Sequence, residues 1–125
     1  MTVNNWRRFS QTAIRVLSER ATVHVTHVRK FNFRFGNTVE TNYMSRSRFE
    51  KNMFSIEMAD AIDQFGGYTE VKIEFPDGRV VKGKHNFNNK RFCRSFGTMV
   101  SIRKALSSCG EDDLLCEIET QLKAA

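Results

Sequence analysis

Between Gly78 and Gly110 the chain has no aspartate and no glutamate, although eight lysines and arginines fall there. Other residue types are scarce as well. Proline occurs once, at Pro76, which excludes a proline-rich tether between domains, and no low-complexity stretch is present. The three cysteines, Cys93, Cys109 and Cys116, are odd in number and spaced for neither a disulfide framework nor a zinc motif. Reduced thiols are the simplest reading, with Cys93 and Cys109 as small core residues. No apolar run is long enough for a membrane span, and the opening MTVNNWRRF has charge with no apolar stretch behind it. Gly-rich phosphate loops, nucleophile elbows and Cys–His pairings are missing too. The expectation is a cytoplasmic chain with no membrane partner, no metal and no cofactor.

What is present suits a single basic globular domain over residues 1–125. The chain is long enough to bury a core without staples, and 40% apolar content with eleven phenylalanines argues against disorder. The net charge of +6 favours anionic partners. The charge is also segregated. Residues 1–39 carry seven basic and one acidic side chain, 40–77 four and eight, 78–110 eight and none, and 111–125 one and five. Segregation of this kind makes a patch, provided the fold brings the first and third blocks to one side.

The clearest structural signal is a hairpin. Val71, Ile73 and Phe75 alternate with Lys72 and Glu74, as in a half-buried strand. Pro76-Asp77-Gly78 then fits a type I turn with a glycine bulge. Pairing Phe75 with Arg79 sets Ile73 opposite Val81 and Val71 opposite Gly83. One face would carry Val71, Ile73, Phe75, Val81 and Phe87, and the other Glu70, Lys72, Glu74, Lys82 and Lys84.

Around it the other elements read as follows. Asn4 or Asn5 can cap a first helix that runs to about Arg20, with Trp6, Phe9, Ala13, Ile14, Val16 and Leu17 on one face. Residues 21–35 are rich in β-formers, but His27 and Arg29 interrupt the apolar parity, so a bend, bulge or turn is expected near Arg29-Lys30. Gly36-Asn37 suits a tight turn into a returning strand, Thr38 to Tyr43. Phe31, Phe33 and Phe35 lie beside Lys30 and Arg34. They read as core packed under helices, with a base-stacking face as the alternative. Ser47-Arg48-Phe49-Glu50 is a capping-box pattern opening a second helix, which Gly66-Gly67 would end.

Phe92, Phe96, Met99, Val100 and Leu106 make the core stripe of a third helix. Arg103 falls inside that stripe, so either the helix resets at Gly97 with Thr98 as a cap or Arg103 is partly buried and paired. Gly110 closes this helix, and Glu111, Asp112 and Asp113 favour the start of an acidic fourth, placed against a basic surface of its own domain or of a partner. The expected fold class is therefore α+β: an antiparallel sheet of about four strands in two hairpins with three to four helices, in the order α-β-β-α-β-β-α-α. This order resembles the half-domain of LAGLIDADG homing endonucleases. The acidic helix motif that defines that family is missing, since the first helix reads WRRFSQTAIRVLSER, and no residue or activity is carried over.

For function, a metal-dependent nuclease would need a second carboxylate beside the strand-borne Glu70-Val71-Lys72. Asp60 or Asp63 could supply one, but the order of elements is wrong for it, and His85-Asn86 has no distal histidine at metal spacing. The sequence favours a non-enzymatic nucleic-acid-binding protein. Lys82, Lys84, Lys90, Arg91 and Arg94 would contact phosphates, with Arg103, Lys104, Arg29, Lys30 and Arg34 as second choices. The alternative is a small adaptor or inhibitor that docks the same patch on an acidic protein surface. DNA and RNA stay undivided here, and a homodimer pairing the basic third block with the acidic fourth helix stays open.

Overall fold

The structure is a computed structural model, which describes residues 3–45 and 61–124. Helix α1 is Val3–Ser18, followed by strands β1 (Thr22–Phe35), β2 (Thr38–Ser45), β3 (Tyr68–Glu74) and β4 (Val80–Asn86), then helices α2 (Arg94–Ser108) and α3 (Asp112–Ala124). The fold is α+β: among the described residues, one antiparallel four-stranded sheet in the order β2-β1-β3-β4 packs with three helices. The expected helix from Ser47 lies mostly outside the described residues. Its end is not helical: Ile62 bridges to Phe31, and Phe65 bridges to Arg91.

The β3–β4 hairpin has the expected register. Ile73 faces Val81 and Val71 faces Gly83. The Phe75 N–H donates to the Arg79 carbonyl at 2.9 Å, and the Gly78 N–H donates back to the Phe75 carbonyl at 3.0 Å. Val71 and Ile73 are fully buried under the helices, while Glu70, Lys72, Glu74, Lys82 and Lys84 share the other face.

β1 differs from its sequence reading. No turn breaks it at Arg29-Lys30; it runs as one 14-residue strand that changes partners. Residues 22–28 pair with β3, and 28–35 pair with β2. The polar residues at inward positions have tertiary partners instead of a local break. His27 Nδ1 lies 2.9 Å from Thr69 Oγ1, and the Arg29 guanidinium lies 4.4 Å from the centre of the Phe92 ring. The irregularity falls on the neighbouring chain at Gly66-Gly67. Gly67 has φ +84°, and a Cβ there would collide with the Val28 carbonyl oxygen, so only glycine lets the chain cross β1 so closely.

The core lies between the sheet and the helices. Phe9, Ala13, Val16 and Leu17 of α1 meet Val71 and Ile73, with Met99, Ile102, Ala105 and Leu106 of α2 and Leu114 and Ile118 of α3 closing around them. α1 begins at Val3, so Asn4 and Asn5 fall inside its first turn instead of capping it. α2 runs unbroken through Gly97. Phe31 is buried and stacks 6.3 Å from Phe33, which is half-buried; Phe92 is buried against Phe87. Among the described residues no helix is long and apolar enough to cross a membrane.

Candidate nucleic-acid interface

Helix α3 removes part of the basic block from consideration. Two of its carboxylates, and Glu111 just before it, pair within the chain. Glu111 holds Arg79 at 3.0 Å, Glu117 holds Arg20 at 2.8 Å, and Glu119 lies 3.5 Å from Arg103. Arg103 is half-buried, with its guanidinium 4.6 Å from the Phe9 ring centre. It is the partly buried, paired cation that its place in the apolar stripe suggests. The acidic helix and the residue before it thus lie against Arg20 just past α1, Arg103 of α2 and Arg79 at the hairpin turn.

Six cations of the 78–110 block have no ion pair among the described residues: Lys82, Lys84, Lys90, Arg91, Arg94 and Lys104. They do not form one surface. Lys82 and Lys84 point to the sheet face away from the helices. Lys90 and Arg91 are exposed in the loop that follows β4. Lys104 reaches from α2 to donate to the Lys84 carbonyl at 3.2 Å. Arg94, at the start of α2, faces the helical side together with Arg29. Arg34 pairs through its backbone with Val39 near the far end of β1.

The outer sheet face divides into two halves. In its lower half Glu74 takes Lys72 at 3.0 Å and His24 at 3.5 Å, and these contacts hold its carboxyl below the usual range, while Lys82 lies opposite Lys72. The upper half is different. Lys30 pairs with Tyr43 across β1 and β2, and Tyr68 pairs with Asn86 across β3 and β4. Together with Lys84, Asn88, Asn89 and Gly67 these residues line an open groove of about 610 Å³. Tyr43 is 55% exposed, and the Lys84 ammonium sits 4.0 Å above the Tyr68 ring centre. Lys30 also lies 3.7 Å from Asp63. The Phe65 backbone N–H, then Asn32 and Lys30, hold that carboxyl below its ordinary range.

The groove collects three kinds of group: ammonium groups, two phenol rings of which Tyr43 is exposed and Tyr68 is half-buried with Lys84 over one face, and carboxamides able to donate and accept hydrogen bonds. Sequence reasoning found Lys30 and Lys84 from charge but missed Tyr43, Tyr68 and the asparagines, which come from three strands and a turn. The parity of Tyr68 with Glu70 and Lys72 was the available signal, since it puts the ring on the polar face.

No protein family model, no curated protein and no solved structure matches this chain.

Proposed function

We propose that the protein binds single-stranded nucleic acid, without catalysing a reaction on it, along the groove between Tyr43 and Lys84. The observation that carries this reading is the pairing of Tyr68 and Tyr43 with Lys84 and Lys30 on one open sheet face. Bases separated from a duplex stack on exposed rings while cations track the phosphates, and both kinds of group are needed within one groove. A continuous duplex would present its phosphates without reaching the rings. Lys82, Lys90 and Arg91 extend the positive surface beyond the groove, so the strand would leave across β4 and its following loop.

Fluorescence anisotropy with labelled single- and double-stranded DNA and RNA, at low and near-physiological salt, tests this. The expected result is tighter binding to single strands than to duplex of the same sequence. The log–log salt slope should be about −0.7 per phosphate contacted. A Lys90→Glu/Arg91→Glu double variant should lose affinity and flatten the slope. No binding to either form at low salt would overturn the reading and favour docking of the same cations on an acidic protein surface.

A further inference from the structure

On the opposite side of the sheet, α1, β1 and the start of α2 enclose a cleft with two lobes of about 480 Å³ each, which share Val25, His27 and Arg94. Arg29 and Phe92 line one lobe, and Arg7 lines the other. No carboxylate lines either lobe among the described residues. Among the described residues the Arg29 Nε is shut off from solvent with no hydrogen-bond partner, and its Nη2 donates to the Asp63 carbonyl at a long 3.4 Å. A buried guanidinium N–H left unpaired is costly, so an acceptor is missing here. The positive groups also work against one another. Burial, then Arg94 and Arg29, push the His27 pKa down to about 4, and burial, then Arg94, lower that of Arg29, with the nearby Asp63 carboxylate offsetting them only in part. Besides these arginines, His27 faces Thr69 of β3, Arg7 of α1 and Ser45 of β2 around the same space.

We propose that this cleft binds the phosphate group of a small phosphomonoester between Arg29 and Arg94. A dianion matches two guanidinium groups where a monoanionic carboxylate would leave one unbalanced. Donors arriving from β1 and α2, with Arg7 of α1 at the rim, suit tetrahedral oxygens, whereas a planar carboxylate is served by one fork. Each lobe exceeds the volume of a phosphate, which leaves room for the ester body beside Phe92. The site stands apart from the groove and does not depend on it.

Histidine-ring NMR of the full chain tests the proposal, with inorganic phosphate and then phenyl phosphate titrated in at constant ionic strength. The expected result is a saturable shift of the His27 ring signals, with its titration midpoint moving upward as the anion offsets the two arginines. Arg94→Gln, a change at an exposed position, should weaken binding by about tenfold. Arg29→Lys, which keeps the charge but loses the fork, should weaken it too, and Lys84→Glu should leave it unchanged. A drift that does not saturate, equal shifts in the Arg94→Gln protein, or acetate binding as well as phosphate would each overturn it.

Discussion

The carbonyl oxygen of Ser101 in α2 packs so closely on Gly83 of β4 that a Cβ on residue 83 would overlap it. Helix and strand touch here backbone to backbone. The Ser101 hydroxyl uses the approach to donate to the Thr69 carbonyl at 2.9 Å on the next strand. A methyl group at 83 has no flexible side chain to displace, so relief requires α2 to lift off the sheet. Gly83→Ala is therefore expected to cost about 3 kcal/mol, the upper end for overpacking. A urea unfolding midpoint that stays within error of the parent would show that α2 can move freely there.

Single-strand binding should depend on the rings of the groove. Tyr68→Ala and Tyr43→Ala should each weaken it by about 1–3 kcal/mol, the worth of one base–aromatic stack, with the salt slope unchanged. Lys84→Glu should instead alter the slope, because it removes a phosphate contact and leaves the Tyr68 ring in place. Anisotropy across a salt series separates the two effects. Tyrosine variants that bind like the parent would place the strand elsewhere.

The sequence reading succeeded where every local cue agreed. Alternating Val71, Ile73 and Phe75 and the turn Pro76-Asp77-Gly78 specify one register, and the observed hairpin has it. It failed at Arg29-Lys30 because the groups that accommodate His27 and Arg29 on an inward face, Thr69 and Phe92, are remote in sequence. Remote neighbours also decide which cations are free. Lys84 and Arg103 look alike in a basic run, yet Arg103 lies over Phe9 and faces Glu119 while Lys84 lies open over Tyr68. The groove itself needs Tyr43, Tyr68 and Asn86 from three strands, and only the sheet order brings them together.

His27 makes stability depend on pH, and the sign follows from its lowered pKa. Burial, then Arg94 and Arg29, hold the folded-state value near 4, whereas an unfolded chain has about 6.5. Between those values the unfolded state binds a proton that the folded state does not, so stability rises with pH. It is fully present above about 6.5 and erodes as pH falls toward 4. The size is about 2 kcal/mol once the partial solvation of the ring is allowed for. His85 is also lowered, by burial and then by Lys104 and Lys90, and adds in the same direction. Urea midpoints measured from pH 4 to 7 should fall with acid more steeply in the parent than in His27→Gln, and parallel curves would remove the effect.

Arg103 offers a test that separates cations packed into the fold from those proposed to meet a nucleic acid. Its Nε is buried without a partner, its guanidinium covers Phe9, and its contact with Glu119 is long, at 3.5 Å, between partly exposed groups. Desolvation of the charge thus opposes what the packing provides. Arg103→Met keeps most of the apolar cover on Phe9 and removes the unpaired N–H, while Glu119 remains hydrated. Stability should change by less than about 1 kcal/mol. Single-strand affinity should fall by less than about twofold, since one unit of charge is lost on the helical side of the sheet. Lys84→Met removes the same charge within the groove and should cost far more. If the two substitutions weaken binding equally, the phosphates respond to net charge alone, and the groove between Tyr43 and Lys84 is not where the strand lies.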